Sequence, residues 1–257
     1  MRDDFLTEIT NRQQDINLHH YTHAIVAGIG GIGGWVALDL ALSGQVDNIH
    51  IIDPDIVESS NLNRTPFRLC DINFPKVDAM KFLILERRAS VEIFTYKEKT
   101  NPSNIQQIKD RINEDIDMDR SPIGNLIDEV LVIDCRDDVY EDLYPFSCKY
   151  YKVGYDGLSV TIDGNPRHTA VWGEANSYRF TPSFIAPAQM IAAMVVTDAL
   201  AVKEVEVEDE ENTPEWDSIE NKQPFDLRGR INTSFTIDTR EVISTMYREY
   251  LEGVIDE

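Results

Sequence analysis

A glycine-rich turn close to the amino terminus constrains the fold more than any other feature of this chain. Residues 28–33 read Gly-Ile-Gly-Gly-Ile-Gly and match the pattern G-x-G-x-x-G. The apolar segment before the turn, residues 23–27 (HAIVA), is short, as buried parallel strands are. Residues 35–43 (WVALDLALS) have helical spacing, and Gly44 is placed to end that helix. A strand, a glycine turn and a helix in this order predict a nucleotide-binding α/β unit.

Predicted strands and helices alternate after this unit. Further strands are expected at 48–52, 91–96 and 129–133, and helices at 76–88 and 104–112. This alternation predicts an α/β fold with a Rossmann-like, doubly wound, mostly parallel sheet.

The pattern changes after about residue 150. Short strands are expected at 152–153, 159–162 and 170–172, followed by an apolar helix at 187–202. The tail from residue 235 contains one more strand-like segment and a helix around 242–251. We therefore expect additional C-terminal antiparallel strands and a helix beside the parallel sheet.

Four segments follow from these patterns. Residues 1–20 are polar and are expected to form a helical N-terminal arm, and residues 21–203 to form the nucleotide-binding domain. An acidic linker is expected at 204–215, because residues 204–211 carry a run of carboxylates. A strand and a helix in residues 216–257 would form a C-terminal appendage.

Composition excludes several classes of partner. The net charge of −22 repels phosphate backbones and anionic membrane surfaces, so we expect neither nucleic acid nor a membrane as a partner. No apolar run approaches the roughly 20 residues that span a bilayer, and the first residues do not form a secretory signal. Three cysteines are too few for a disulfide framework and indicate the reducing cytoplasm.

The glycines and one aspartate predict how a nucleotide binds. Gly28 allows the tight turn, Gly30 lets a ligand approach the backbone, and Gly33 lets helix and strand pack closely. Gly31 is expected to bind the nucleotide with them. The free N–H groups at the helix start attract an anion. Asp53 lies 20 residues beyond Gly33 and ends the second predicted strand, where an acidic residue hydrogen-bonds a ribose hydroxyl.

Three later segments indicate ATP rather than a dinucleotide. Residues 53–64 read DPDIVESSNLNR, residues 74–79 read FPKVDA, and residues 132–138 read VIDCRDD. Arg64 and Lys76 in these segments could offset the charge of a triphosphate, which hydride transfer does not require.

In their order and spacing these segments resemble the ThiF/MoeB/HesA family, the adenylyltransferases related to ubiquitin-activating enzymes. Residues 182–200 (PSFIAPAQMIAAMVVTDAL) are also similar to a helix of that family, and the resemblance covers roughly residues 20–203. It implies that residues 21–203 form an ATP-binding adenylation domain. It also implies a homodimer.

The resemblance implies a reaction and a set of roles. Such proteins bind ATP with Mg²⁺ and let a carboxylate, often the C-terminus of a small ubiquitin-like protein or a peptide, attack the α-phosphate. The products are an acyl-adenylate and pyrophosphate. By matching position, Asp53 would bind the ribose, Asn61 and Arg64 would contact the phosphates, Lys76 would neutralise their charge, and Asp137 would hold Mg²⁺.

Several positions depart from the family pattern. Thr65 stands where the family usually has Gln, and Arg136 precedes Asp137 where the family often has Thr. The added arginine could pair with Asp137 and weaken metal binding. No paired C-x-x-C motif occurs, so we expect no structural zinc.

The cysteines predict that the chain adenylates without a catalytic cysteine. None lies after Cys148, whereas thioester-forming relatives carry theirs in the crossover region, here about 155–185. Cys135 and Cys148 are expected at a strand end and in a helix, as buried structural thiols.

Two other functions stay open at this stage. An oxidoreductase that uses NAD or FAD would need only the glycine turn and Asp53, and would leave Arg64, Lys76 and Asp137 without a role. A non-catalytic ATP-binding scaffold would be consistent with the departures at Thr65 and Arg136.

Overall fold

The computed structural model describes most of the predicted nucleotide-binding domain. The described residues are 10–13, 16–115, 129–137, 144, 148–156, 159–163, 183–202 and 235–238. The strand predicted at 170–172, the acidic linker and the helix around 242–251 lie outside these residues.

Seven strands form one sheet in the described residues, in the order β3-β2-β1-β4-β5-β6-β7. The strands are β1 (Tyr21–Ala27), β2 (Val46–Ile52), β3 (Glu92–Tyr96), β4 (Val130–Asp134), β5 (Lys149–Asp156), β6 (Ser159–Asp163) and β7 (Phe235–Asp238). Strands β1 to β5 are parallel, and β6 and β7 are antiparallel additions at one edge. The predicted fold class is confirmed, including the antiparallel strands.

Register brings the carboxyl ends of three strands together. Ala27 of β1 pairs with Ile52 of β2 on one side and with Asp134 of β4 on the other. The segments that follow these strands therefore leave the sheet at the same edge. Ligands of open α/β sheets bind at this edge, at the point where the strand order reverses.

Four helices cover the sheet in the described residues. They are α1 (Gly33–Ser43), α2 (Lys76–Leu85), α3 (Pro102–Asp115) and α4 (Ile185–Leu200). Gly44 ends α1 in the left-handed conformation with φ 77°, as the sequence predicts. Helix α2 is shorter than predicted, because Arg88 turns inward and donates to the carbonyl oxygens of Ala41 and Val46.

The hydrophobic core has two parts, one on each face of the sheet. Ala24 and Val26 of β1 pack into the larger cluster with α1, α2 and α4, and Ile25 packs into the smaller cluster with α3. Alternate residues of β1 therefore face opposite layers, as they must in a sheet that is covered on both sides.

The helical arm predicted at 1–20 lies mostly outside the described residues. Its described part contains a short 3₁₀ helix, Asn11–Gln13, and Leu18 forms a β-bridge with Ala201. One local expectation was wrong. Cys148 is not in a helix and directly precedes β5, which begins earlier than predicted. Lys149 and Lys152 interrupt the apolar pattern of β5 and conceal it in the sequence. In the part of the chain that the structure describes, no helix is long and apolar enough to cross a membrane.

Candidate nucleotide-binding site

The glycine turn adopts a conformation that other residues resist. Gly28 has φ 85°, and a Cβ there would lie 3.0 Å from the carbonyl oxygen of Cys135. A Cβ on Gly33 would lie 1.8 Å from the carbonyl oxygen of Gly28, so only glycine permits α1 to pack this closely. A Cβ on Gly30 would meet nothing within 4 Å, which leaves that position open toward a ligand.

Asp53 joins the glycine turn to the segment after β2. Its Oδ2 accepts the backbone N–H of Ile29 at 2.6 Å, and its Oδ1 accepts that of Asp55 at 2.8 Å. Burial raises the pKa of Asp53, although the nearby charge of Lys76, whose Nζ is 3.7 Å away, and the two backbone hydrogen bonds act in the opposite direction. These two hydrogen bonds therefore fix the position of the Asp53 carboxylate beside the glycine turn.

Lys76 is the first residue of α2, and it is buried. Its Nζ donates to Asp55 Oδ2 at 2.8 Å, and its backbone N–H donates to the carbonyl oxygen of the same residue at 2.9 Å. The lysine charge thus has a carboxylate partner that a phosphate group could replace, because the Asp55 side chain is 63% exposed.

The segment after Asp55 folds around side-chain hydrogen bonds. Asn61 accepts the backbone N–H of Glu58 at 3.0 Å, and Thr65 donates its hydroxyl to the carbonyl oxygen of Asn61 at 2.9 Å. Thr65, which departs from the family pattern, is therefore buried as a local structural residue.

Both the main chain and the side chain of Arg64 form hydrogen bonds. Its carbonyl oxygen accepts the indole N–H of Trp35 at 2.9 Å, and its Nη1 donates to the carbonyl oxygen of Ser60 at 2.6 Å. The same nitrogen donates to Asn63 Oδ1 at 3.0 Å. Arg64 is half-buried and lines the larger cavity, so its guanidinium can contact a ligand there.

Arg136 forms its strongest pair away from the predicted metal ligand. Its Nε and Nη2 donate to the carboxylate of Asp134 at 2.9 and 2.5 Å, and Lys152 Nζ donates to the same group at 3.2 Å. Burial by itself raises the pKa of Asp134, but the hydrogen bonds and charges of Arg136 and Lys152 outweigh it and hold that pKa below its usual value. Asp134 is thus a structural carboxylate, while Asp137 lies exposed two residues after Cys135.

Two adjoining cavities lie at this edge of the sheet. The larger has a volume of about 520 Å³ and the smaller of about 380 Å³, within the range of roughly 300–1,000 Å³ that is usual for small-molecule sites. They share the lining residues Gly30, Asp55, Lys76, Cys135 and Asp137. The two cavities are therefore continuous parts of one site.

Most of the predicted site residues line these cavities. Gly31, Asn61 and Arg64 line only the larger one, and Gly28 and Asp53 line only the smaller one. Gly33 lines neither, because it packs against Gly28 instead.

Sequence reasoning missed several residues of the site. Tyr155 and Ser183 line the larger cavity, and Glu98 and Thr100 line the smaller one. The sequence carries one available signal for Tyr155 and Thr100, since each lies at or after the carboxyl end of a parallel strand.

Tyr155 connects separate parts of the larger cavity. Its phenolic oxygen lies 2.9 Å from where a Gly31 Cβ would be, in contact with the glycine turn. Burial raises the pKa of Tyr155, against the opposing effects of a hydrogen bond with Ser183 and the charge of Arg64. The phenol therefore remains protonated at neutral pH and is a hydrogen-bonding group.

The charges around the larger cavity are mixed. Two cations, Arg64 and Lys76, face three carboxylates, Asp55, Glu58 and Asp137. Among the described residues, no group of three or more His, Cys, Asp or Glu side chains is placed to hold a metal ion. Mg²⁺ often binds through one or two carboxylates and completes its shell with substrate phosphates, which Asp137 would suit.

Comparison with known proteins identifies the family. The model of the ThiF family matches residues 6–152, more than half of the chain. The chain belongs to the ThiF family. The predicted family resemblance is thereby confirmed.

Known relatives cover only part of the chain. The NEDD8-activating enzyme E1 catalytic subunit of Arabidopsis thaliana is 35% identical over 95 residues, 37% of this chain and 21% of that protein. The tRNA threonylcarbamoyladenosine dehydratase of Bacillus subtilis is 38% identical over 73 residues, 28% of each protein. The chain thus matches only 21% and 28% of the length of these two curated relatives. Among solved structures, E. coli MccB with MccA is 19% identical with a TM-score of 0.46, covering 74% of this chain and 56% of that one.

Proposed function

We propose that this ThiF-family chain is an ATP-dependent adenylyltransferase that activates the carboxylate of a peptide or a small ubiquitin-like protein as an acyl-adenylate. The observation that carries the proposal is the pair of continuous cavities beside the glycine turn. The smaller cavity holds the rigid carboxylate of Asp53, which suits a ribose, and the larger holds Arg64 and Lys76, which suit a phosphate chain.

The smaller cavity would bind the nucleoside. The Asp53 carboxylate has backbone partners on both oxygens, and each carboxylate oxygen has a second lone pair available to a ribose hydroxyl. Gly28 and Gly30 line the same cavity, so the nucleoside would lie against the glycine turn.

The larger cavity would bind the phosphates and the reacting carboxylate. Lys76 would exchange Asp55 for a phosphate oxygen, and Asn61 and Arg64 would contact the rest of the chain. Asp137 would hold Mg²⁺ together with phosphate oxygens, and the ion would supply the positive charge that the mixed lining lacks.

Adenylation by these residues needs positioning and charge stabilisation rather than a general base. A substrate carboxylate is already ionised at neutral pH, and one of its oxygens forms a bond to the α-phosphorus. The bond between that phosphorus and the α–β bridging oxygen breaks, and its electron pair leaves with pyrophosphate. Arg64 and Lys76 would stabilise the negative charge that accumulates on the phosphate oxygens.

The environment of the thiols supports activation without a catalytic cysteine. Burial raises the pKa of Cys135, which lines both cavities, far above neutral, and it raises the pKa of Cys148 to about 12. Neither thiol would form the thiolate that a nucleophile requires near neutral pH. Cys70 is exposed and lines neither cavity.

The relatives support two classes of substrate, of which we favour a protein or a peptide. The NEDD8-activating relative acts on a protein, and the dehydratase relative acts on a modified tRNA. The net charge of −22 opposes the binding of RNA, because a polyanion pays an electrostatic cost to approach such a surface.

We also propose a homodimer, as the family resemblance implies, and a location in the cytoplasm, as the three cysteines indicate. Leu69 and Phe82 are 78% and 60% exposed, and apolar side chains of this size would suit a subunit contact. Sedimentation of the purified chain at twice the monomer mass would support the dimer, and sedimentation at the monomer mass would contradict it.

ATP–pyrophosphate exchange with Mg²⁺ tests the proposed reaction. Candidate substrates are the small proteins and peptides encoded beside this gene. We expect substrate-dependent exchange that falls at least about a hundredfold in Arg64→Ala and in Asp137→Ala. Thr197→Val serves as a control, since Thr197 is exposed and, among the described residues, its hydroxyl donates within α4 to the carbonyl oxygen of Ala193.

Calorimetric titration of ATP and NADH into the same sample tests the two other functions. Binding of ATP without exchange for any candidate substrate would favour a non-catalytic scaffold. Binding of NADH without binding of ATP would favour an oxidoreductase.

A further inference from the structure

Thr100 follows β3 and presents a buried hydroxyl without a hydrogen-bond partner among the described residues. The residue is 7% exposed, and it lines the smaller cavity. A buried hydroxyl that makes no hydrogen bond costs about 1–3 kcal/mol, so such groups are rare unless a ligand or a solvent molecule satisfies them.

The segment that carries Thr100 is rigidly held on both sides. Asn104 is fully buried, and its side-chain amide donates to the carbonyl oxygen of Lys99 at 2.9 Å while its Oδ1 accepts the N–H of Asn101 at 3.0 Å. The side chain of Asn101 in turn accepts the N–H of Ser103 at 2.8 Å and caps α3. Thr100 therefore lies between two fixed neighbours and keeps its position without a ligand.

Thr100 lines the same cavity as Asp53, the predicted ribose group, and does not line the larger cavity that contains Arg64. Lys76 and Asp137 line both cavities, Asp53 lines only the smaller one, and Glu98 to Thr100 line only the smaller one. The backbone N–H of Asp53 donates to the carbonyl oxygen of Tyr96, so the segment after β3 is adjacent to the predicted ribose group. In a nucleotide the base is the part next to the ribose and farthest from the phosphates.

We propose that the Thr100 hydroxyl hydrogen-bonds the purine base of the bound nucleotide, an inference that rests on the proposed binding of ATP. A hydroxyl can donate to a ring nitrogen and can accept from the exocyclic amine of adenine, so one side chain can satisfy either edge. Thr100 is thus a specificity-determining residue, and Asn104 is the residue that positions it.

Calorimetric titration of ATP into the wild type, Thr100→Val and Thr100→Ser tests this inference. Valine keeps the shape and removes the hydroxyl, so we expect about tenfold weaker ATP binding, whereas serine should remain within about threefold of the wild type. Thr197→Val on the exposed face of α4 should bind as the wild type does.

Modified nucleotides separate recognition of the base from a general loss of affinity. Purine riboside triphosphate lacks the 6-amine, and 7-deaza-ATP lacks one ring acceptor. Weaker binding of either analogue by the wild type that disappears in Thr100→Val would support the inference. Equal losses in both proteins with both analogues would overturn it.

Thermal unfolding without a ligand distinguishes a structural hydroxyl from a ligand-binding one. Because the hydroxyl lacks a partner, Thr100→Val should keep or raise the Tm of the free protein, and a clear fall would overturn the inference. Wild-type binding of ATP with unchanged affinity in Thr100→Val would overturn only the role of Thr100. No binding of ATP by the wild type would overturn the proposed function as well.

Discussion

The two cavities of the site differ in how their polar groups are satisfied before a ligand binds. In the smaller cavity, Asp53 is fixed by two backbone N–H groups and the hydroxyl of Thr100 has no described partner. Where the two cavities meet, Lys76 is paired with Asp55, and in the larger cavity Arg64 donates to the carbonyl oxygen of Ser60. One cavity is therefore prepared for its ligand, and the other must exchange protein partners for it.

This difference indicates what each part of a nucleotide contributes. A nucleoside would bind a rigid surface with little rearrangement, whereas phosphates would have to displace Asp55 from Lys76. Because displacing Asp55 costs free energy, the larger cavity should favour ligands whose negative charge and bound metal ion offset that cost. Changes in the smaller cavity should thus affect all adenine nucleotides alike, and changes in the larger cavity only those with phosphates.

The largest effect is expected from the glycine turn, which both cavities depend on. Gly33→Ala places a methyl group within 1.8 Å of the carbonyl oxygen of Gly28. We expect a loss of at least about 3 kcal/mol of stability, because backbone atoms cannot move aside as a flexible side chain does. Chemical denaturation monitored by circular dichroism measures it.

Gly30→Ala is the matched control in the same turn. Its methyl group would meet no protein atom within 4 Å but would enter the shared space of both cavities. Stability should change by less than about 1 kcal/mol, while binding of both ATP and adenosine weakens about tenfold. A normally folded Gly33→Ala protein would contradict this account of the turn.

A second prediction separates stability from ligand binding. Asp39 in α1 lines neither cavity, and burial raises its pKa to about 6. The folded form therefore binds the Asp39 proton more tightly than the unfolded form does. The protonated carboxyl contributes fully to the free energy of unfolding below about pH 4, and this contribution is lost as the pH rises through about 6.

Asp39→Asn should remove the fall in stability that accompanies ionisation of the Asp39 carboxyl. We expect the variant to be roughly 2 kcal/mol more stable than the wild type at pH 7.5 and nearly equal to it at pH 4, with unchanged affinity for ATP at pH 7.5. Urea unfolding at the two pH values measures the difference. An equal gain at both values would show that relief of carboxylate burial is not the cause.

The smallest effect is expected from releasing Lys76. Asp55→Asn weakens the ion pair that phosphate must replace, so we expect about threefold tighter binding of ATP and no change for adenosine. Asp78→Asn is the control, because it breaks the ion pair with Lys97 outside both cavities. Weaker binding of ATP by Asp55→Asn would show that Asp55 contacts the metal or the nucleotide directly.

Local sequence patterns were sufficient to predict the parallel sheet and the glycine turn. Apolar runs that end in Gly or Asp identified β1, β2 and β4, and the spacing from Gly33 to Asp53 located the carboxylate of the smaller cavity. The strands and the glycine turn are encoded by residues that are close together in the sequence, so the periodicity of apolar residues reveals them.

The residues that were missed are brought to the site by tertiary structure. Thr100 and Tyr155 are far apart in the chain and line the cavities beside the glycine turn because β3 and β5 end at the same edge as β1. The pairing of Lys76 with Asp55 also requires the fold of the segment between them. No local period encodes such contacts.

The central claim is that one cavity binds the nucleoside and the other binds the phosphates. Its most direct test is calorimetric titration of the wild type and of Lys76→Ala, first with ATP in the presence of Mg²⁺ and then with adenosine. Lys76 carries the charge that phosphate would take over from Asp55. We predict that Lys76→Ala binds ATP at least about tenfold more weakly and binds adenosine with unchanged affinity. Equal losses for both ligands, or no binding of either ligand by the wild type, would contradict the account.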